Sequence, residues 1–276
     1  MARRDGDPDF IEAIARGLDV IKVFEPHRAE MTLSEIAAAA GLARPTARRI
    51  LLTLESLGYV RSLPRGFALT PRVLELGLTY VQSMGLWDVA RPHMERLVSR
   101  THESTSIAQL DGSDIVYVAR VAVPKVITIA VQIGTRFPAP PTSLGKVLLA
   151  DLEPDELDLV LAQPSRAGVQ PTWRPDRAEL DAVLRDVRAK GWSLSSEHLA
   201  PGIRSVAAPV RDGTGRVVAA MNVTVHAAET SVETLTGTYL PMLLQAASEV
   251  SADFALYSSV PSTIVPAAEL ADRATP

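Results

Sequence analysis

Between Gly41 and Thr70 the chain carries five arginines, Arg44, Arg48, Arg49, Arg61 and Arg65, against a single acid, Glu55, although its overall net charge is −4. Arg44, Thr46, Arg48 and Arg49 crowd together just after Gly41. A guanidinium grips phosphate, and the O6 and N7 edge of guanine, through two parallel hydrogen bonds. Such a cluster on an otherwise acidic chain points to nucleic acid read from one patch rather than coated by the whole surface. A second chemical signal is Thr142-Ser-Leu-Gly-Lys146. There a hydroxyl residue opens an apolar helical stretch, and the unpaired N–H groups of a helix start attract an anion. Taken singly, a basic helix face is commonly a solvated surface and a threonine at a helix start commonly a plain cap. The surrounding elements have to decide.

Other chemistries lack their residues. With no cysteine, disulfides, thiolate nucleophiles and Cys-ligated metals are excluded. No Gly-x-Ser-x-Gly elbow is present, and Thr142-Ser-Leu-Gly-Lys146 lacks the earlier glycine and following Ser/Thr of a phosphate loop. Gly213-Thr-Gly-Arg216 lacks the third glycine of a dinucleotide fingerprint and reads as a hairpin turn. His27, His93, His102, His198 and His226 have no metal-ligand spacing, and His102-Glu103 and Glu197-His198 read as surface or pocket pairs. No catalytic residue, metal or cofactor is expected. Two other readings compete: an enzyme acting on a small carboxylate with an accessory DNA-binding domain, and a module that only dimerises.

The basic cluster needs a helix to present it, and the periodicity supplies one in context. Residues 10–24 space Ile11, Ile14, Leu18, Ile21 and Phe24 as one face of an amphipathic helix, with Val20 beside them. Thr32-Leu-Ser-Glu35 is a capping box opening a short helix to about Ala40, and Gly41 supplies a turn. Pro45 suits the first turn of the next helix, which should bury Ala47, Ile50, Leu51, Leu54 and Leu57 and end at Gly58. Strands at 59–61 and 67–70 flank the breaker-rich Leu63-Pro-Arg-Gly66, a hairpin wing. Helix, tight turn, helix and wing together make a winged helix-turn-helix, whose second helix enters the major groove by its first residues.

Downstream the periods mix. Strands are expected at 104–110, 115–121, 126–133, 192–195, 204–211 and 216–225, with helices at 92–101, 142–150, 155–162, 176–190 and 231–256. The fold class is therefore α+β. A winged helix-turn-helix spans 9–71, a linker helix 72–88 and an effector-binding domain 89–257, and the Pro-, Ala- and Ser-rich stretch 258–276 is expected to be disordered. No apolar run is long enough to span a membrane, the N-terminus does not read as a signal peptide, and a cytoplasmic protein is expected.

The segments Ile14-Ala-Arg-Gly-Leu18, Leu33-Ser-Glu-Ile-Ala37, Gly41-Leu-Ala-Arg-Pro-Thr46, Arg49-Ile-Leu-Leu-Thr-Leu54 and Gly66-Phe-Ala-Leu-Thr70, in this order, resemble the IclR-type transcriptional regulators. The likeness continues through Gly134-Thr-Arg-Phe-Pro138, Thr142-Ser-Leu-Gly-Lys146 and Pro201-Gly-Ile-Arg-Ser205. Leu86-Trp-Asp-Val-Ala90 and Asp114-Ile-Val-Tyr-Val-Ala-Arg-Val121 are most similar to regulators of protocatechuate, hydroxybenzoate and β-ketoadipate catabolism. The resemblance implies a GAF-like C-terminal domain that binds a small carboxylate, and a homodimer or homotetramer on double-stranded operator DNA. It implies that Arg44, Thr46 and Arg49 contact the groove and that Arg16 and Thr32 lie near phosphates; Arg48 and Arg65 join them from the basic patch. Arg49 has an alternative, a structural pair with Glu55 or an N-terminal acid. The effector carboxylate is implied against the amides of Ser143 and Leu144, with Ser205, Asn222 and Thr224 as polar side chains of the pocket. Ile127, Ile129 and Val131 would form its floor. Ser195 is a further candidate of the pocket and departs from the family pattern, standing where a relative has aspartate.

Overall fold

The computed structural model of the protein describes residues 9–24, 28–77, 85–124 and 131–259. The chain divides into two compact units, Met1–Ser83 and Met84–Pro276.

In the first unit α1 (Glu12–Lys22), α2 (Leu33–Ala39) and α3 (Arg44–Ser56) precede a two-stranded sheet, β1 (Val60–Leu63) and β2 (Gly66–Leu69). Val20, Met31, Ile36, Leu51, Leu54 and Val60 form their common core. The capping box at α2 is complete, with the Thr32 hydroxyl accepting from the Glu35 amide and the Glu35 carboxylate accepting from the Thr32 amide. Gly41 turns the chain at φ +64°, a left-handed conformation that glycine adopts without strain. β1 and β2 run one or two residues off the expected strands, and Gly66 belongs to the strand rather than the turn. A Cβ at Gly66 would lie 2.3 Å from the Met31 carbonyl oxygen, so glycine lets Met31 bridge to Phe67 and tie the wing to the entrance of α2. The expected apolar face of α1 is only half used: Val20 is buried, whereas Ile11, Ile14 and Leu18 are exposed. Leu57 is also exposed, because α3 ends at Ser56 and the chain leaves the buried face there.

After a 3₁₀ turn (Pro71–Leu74), residues 78–84 of the expected linker helix lie outside the described residues. The second unit opens with α4 (Leu86–Thr101) and the hairpin β3 (Ser104–Asp111) and β4 (Asp114–Val121). Ile127 and Ile129, placed by the sequence in a strand, lie outside the described residues, and Val131 follows as irregular chain. A short strand β5 (Arg136–Pro138) then leads to α5 (Ser143–Ala150), α6 (Pro154–Leu161) and α7 (Arg177–Lys190). Strands β6 (Ser193–Ser196), β7 (Ile203–Arg211) and β8 (Val217–His226) follow. The six strands form one antiparallel sheet in the order β5-β4-β3-β8-β7-β6.

The closing helix runs without a break from Val232, but it is not α-helical throughout. A turn at Val232–Thr234 and a π-helical turn at Leu235–Tyr239 precede α8 (Leu240–Ser259). Pro241 has no N–H to give the preceding turn, which opens the hydrogen-bond ladder where the π turn forms. α4 and α8 cover one face of the sheet through Ala90, Met94, Leu243 and Val250, packed on Val206, Met221 and Val223. α5 and α7 cover the other through Leu144, Leu148 and Leu184, with Ala207 and Ala220 beneath them. The period-two pleat thus sends Met221 and Val223 to the first layer and leaves Asn222 and Thr224 on the α5 side.

Candidate functional site

In the first unit the geometry centres on the start of α3. Ala43, its N-cap, has no side-chain acceptor, so the first amides of α3 are open, in contrast to the capped α2. Arg44, Arg48 and Arg49 are exposed and Thr46 is half-buried, while Ala47 and Leu51 turn to the core. Among the described residues none of these arginines has an acidic partner. Glu55 instead accepts from the Ser62 amide at 2.9 Å, joining α3 to the wing, so the alternative pairing of Arg49 with Glu55 is not formed. Arg65 is exposed between the wing strands. Two further expected contacts are engaged elsewhere: Arg16 pairs with Glu12, and both the hydroxyl and the amide of Thr32 are bonded to Glu35. Either must share or release those bonds to reach a phosphate.

In the second unit Ser143, Leu144, Ser195, Ser205, Asn222 and Thr224 line a single cavity between α5 and the sheet. Thr142 caps α5 through Gly145, its hydroxyl accepting from that amide at 2.9 Å. The Ser143 and Leu144 amides have no partner among the described residues, and two unpaired N–H groups at the positive end of a helix are an anion cradle. The Ser143 and Ser205 hydroxyls share a hydrogen bond of 2.7 Å. Ser195 donates to the Pro141 carbonyl at 2.7 Å and so fixes the approach to α5. The Asn222 side-chain Oδ1 accepts from the Ser106 amide at 3.0 Å and its Nδ2 donates to the Thr224 hydroxyl at 3.0 Å, which leaves it partly committed to the sheet. Val131 does reach the cavity, whose apolar wall also has Tyr117 and Phe137 packed edge to face. Burial pushes the Tyr117 phenol up to about 12, so it stays neutral.

Comparison with known proteins decides what this combination is. The profile of the IclR helix-turn-helix domain matches residues 13–64, and that of the bacterial transcriptional regulator IclR C-terminal domain matches residues 78–252. The chain belongs to the IclR family. It is a DNA-binding transcriptional regulator, not an enzyme. It is similar to the Pca regulon regulatory protein of Pseudomonas putida, 37% identical over 89% of this chain and 84% of that one. It is also similar to the p-hydroxybenzoate hydroxylase transcriptional activator of Acinetobacter baylyi, 31% identical over 88% of this chain and 91% of that one. Among solved structures, an IclR homolog from Microbacterium hydrocarbonoxydans complexed with 4-hydroxybenzoate superposes with a TM-score of 0.76. It is 27% identical and covers 88% of this chain and 98% of its own.

In this IclR-family chain the structure adds two groups to those expected at the site. Arg120, on β4, lines the same cavity. Lys146, one turn into α5, is only 1% exposed and donates to the Leu194 carbonyl at 3.0 Å and to His198 Nδ1 at 2.9 Å. Its ammonium lies 4.8 Å from the centre of the Trp173 ring, on which His198 stacks at 4.6 Å. Burial brings the Lys146 pKa down to about 8. Burial, and then the charge of Lys146, bring His198 down to about 4. The lysine ties α5 to the segment that carries Leu199 into the cavity wall. Among the described residues no helix is long and apolar enough to cross a membrane.

Proposed function

We propose that the protein is a cytoplasmic homodimer or homotetramer that controls genes for breakdown of aromatic acids, its operator affinity set by a small carboxylate. The observation that carries this reading is the pair of open amides, Ser143 and Leu144, at the head of α5 in a cavity edged by Ser205, Asn222 and Thr224. The 4-hydroxybenzoate of the Microbacterium homolog and the aromatic-acid regulators among the relatives support it. Effector and operator favour different arrangements of one assembly, and the coupling between them is of the usual 1 to 3 kcal/mol, about 5- to 150-fold in affinity. Ser143→Pro tests the pocket. Proline is at home in the first position of a helix, and Thr142, with ψ 148°, already has the extended backbone a following proline requires. The variant should fold, lose calorimetric binding of 4-hydroxybenzoate and protocatechuate, and bind operator without response to either. Normal binding by this variant would move the carboxylate to another place.

On the DNA side we infer that Arg44, Thr46, Arg48 and Arg49 face the major groove and that Arg65 meets the backbone from the wing, with Arg16 and Thr32 near phosphates. One recognition helix reads only a few base pairs, and a two-fold protein imposes a two-fold operator, so selection from random duplexes should return inverted half-sites. Arg44→Ala or Arg49→Ala should cost about 1 to 3 kcal/mol on the operator and relax one base preference. Arg65→Ala should instead flatten the salt dependence by about one phosphate contact. Equal losses on operator and random DNA for all three variants would remove base reading from α3.

A further inference from the structure

Strict alternation along β4 sends Arg120 and Tyr117 to opposite faces of the sheet, because they are three residues apart. The pairing of β4 with β3 is interrupted by a bulge. Ala119 stands opposite Ile107, but Tyr117 stands opposite Ala108, so Val118 is the extra residue. The bulge reverses the phase, and both Tyr117 and Arg120 line the cavity beneath α5. Bulges re-aim side chains in this way beside binding sites.

The half-buried Arg120 donates through Nη1 to the Ser106 hydroxyl at 3.1 Å. Among the described residues no carboxylate pairs with it, and the Tyr117 phenol beside it is neutral. Burial without a counter-charge disfavours the guanidinium, lowering its pKa. A desolvated guanidinium held by one neutral hydroxyl keeps most of its fork for something else.

The strand register gives the distance from this fork to the α5 end. Ser106 pairs with Asn222 on β8, Asn222 pairs with Ala207 on β7, and Ser205 lies two residues along β7 on the same face. The Ser106 hydroxyl and the Ser143–Ser205 pair are therefore about two strand spacings apart across the sheet and two residues apart along it, roughly 12 Å in all. A hydrogen bond of about 3 Å at each end leaves a ligand whose terminal oxygens are roughly 6 Å apart.

Resting on the reading that a carboxylate sits at the head of α5, we propose that Arg120 is a second binding residue of the effector pocket. It selects acids that carry another oxygen acceptor at the end opposite the carboxylate. A ring acid with a para oxygen and a linear diacid share that chemistry, and matched pairs of probes separate them: 4-hydroxybenzoate against benzoate, and adipate against hexanoate. The wild-type protein should bind the member with the far oxygen at least about tenfold more tightly than its partner in one pair or both, and the pair that shows it names the source. In Arg120→Gln that preference should fall to within about threefold while binding of the simple acid is kept. Arg120→Lys, which keeps the charge without the fork, should lie between. Thermal unfolding confirms that each variant is folded, and the lysine variant serves if the glutamine one is not. Undiminished discrimination by Arg120→Gln, or by Arg120→Lys where only that variant folds, overturns this inference alone. A wild-type protein that binds none of the four acids overturns the reading on which it rests, and one that binds them without preference overturns the selectivity of Arg120.

Discussion

Gly145→Ala should unfold or severely loosen the second unit and abolish effector binding, although in most helices the same change is stabilising. Alanine exceeds glycine in helix propensity by about 1 kcal/mol. At Gly145, however, a Cβ would sit 2.0 Å from the Ala139 carbonyl oxygen and 2.5 Å from its carbonyl carbon and Cα. These are backbone atoms of a turn fixed from several sides. The Ala139 carbonyl accepts from both the amide and the hydroxyl of Thr142, and the Ala139 amide donates to Ser113. α5 cannot give way either, since all eight of its residues are buried. One of the two must move, and overpacking of this kind costs about 3 kcal/mol or more. For a unit of this size that corresponds to a fall in Tm of roughly 6 to 12 °C. Calorimetric unfolding of the full chain and titration with 4-hydroxybenzoate check it. An unchanged or raised Tm would mean that α5 does not approach Ala139 so closely.

The same glycine shows how far the sequence could be read. Thr142-Ser-Leu-Gly-Lys146 announced a helix start with its cap through local chemistry alone, as Thr32-Leu-Ser-Glu35 announced α2 and Gly41 the turn before α3. Asn222 and Thr224 could be paired on one face because β8 keeps its alternation from Ala219 to Val225. Features that depend on non-local partners were not legible. Arg120 reaches the cavity only through a bulge, and no residue in Asp114-Ile-Val-Tyr-Val-Ala-Arg-Val121 marks where a strand will slip. β5 is three residues long, too short for a period to register. The outward Ile11, Ile14 and Leu18 follow a perfect helical period, but a period identifies an apolar face without saying what covers it. Lys146 did leave a trace: it is the lone charge in a helix apolar all round, and such a helix is buried. A lysine there requires partners that only the fold supplies.

That lysine carries the second large effect. An ammonium removed from water with a carbonyl, an imidazole and an indole face as its neighbours, and no carboxylate bonded to it among the described residues, disfavours the charged form. The folded protein therefore releases the Lys146 proton at about 8, whereas a lysine in water does so at 10.5. Between those values the unfolded chain binds more protons than the folded one, and stability rises with pH across that window. Below it the cost of the buried charge is fully present, about 3 kcal/mol for a shift of this size. Lys146→Met keeps the bulk and removes the charge, so the gain in stability on going from pH 8 to 10.5 should be absent from the variant, as read by denaturant unfolding of both proteins at each pH. His198 gives an independent readout. Its pKa of about 4 comes first from burial and then from the neighbouring charge, so in Lys146→Met it should rise yet stay below its ordinary value, because the burial persists. Imidazole resonances followed by NMR report this directly. With its Nδ1 partner lost, the segment that carries Leu199 is held to α5 by one contact fewer, and 4-hydroxybenzoate should bind more weakly. An unchanged His198 titration together with an unchanged pH profile of stability would show that Lys146 is not a buried cation.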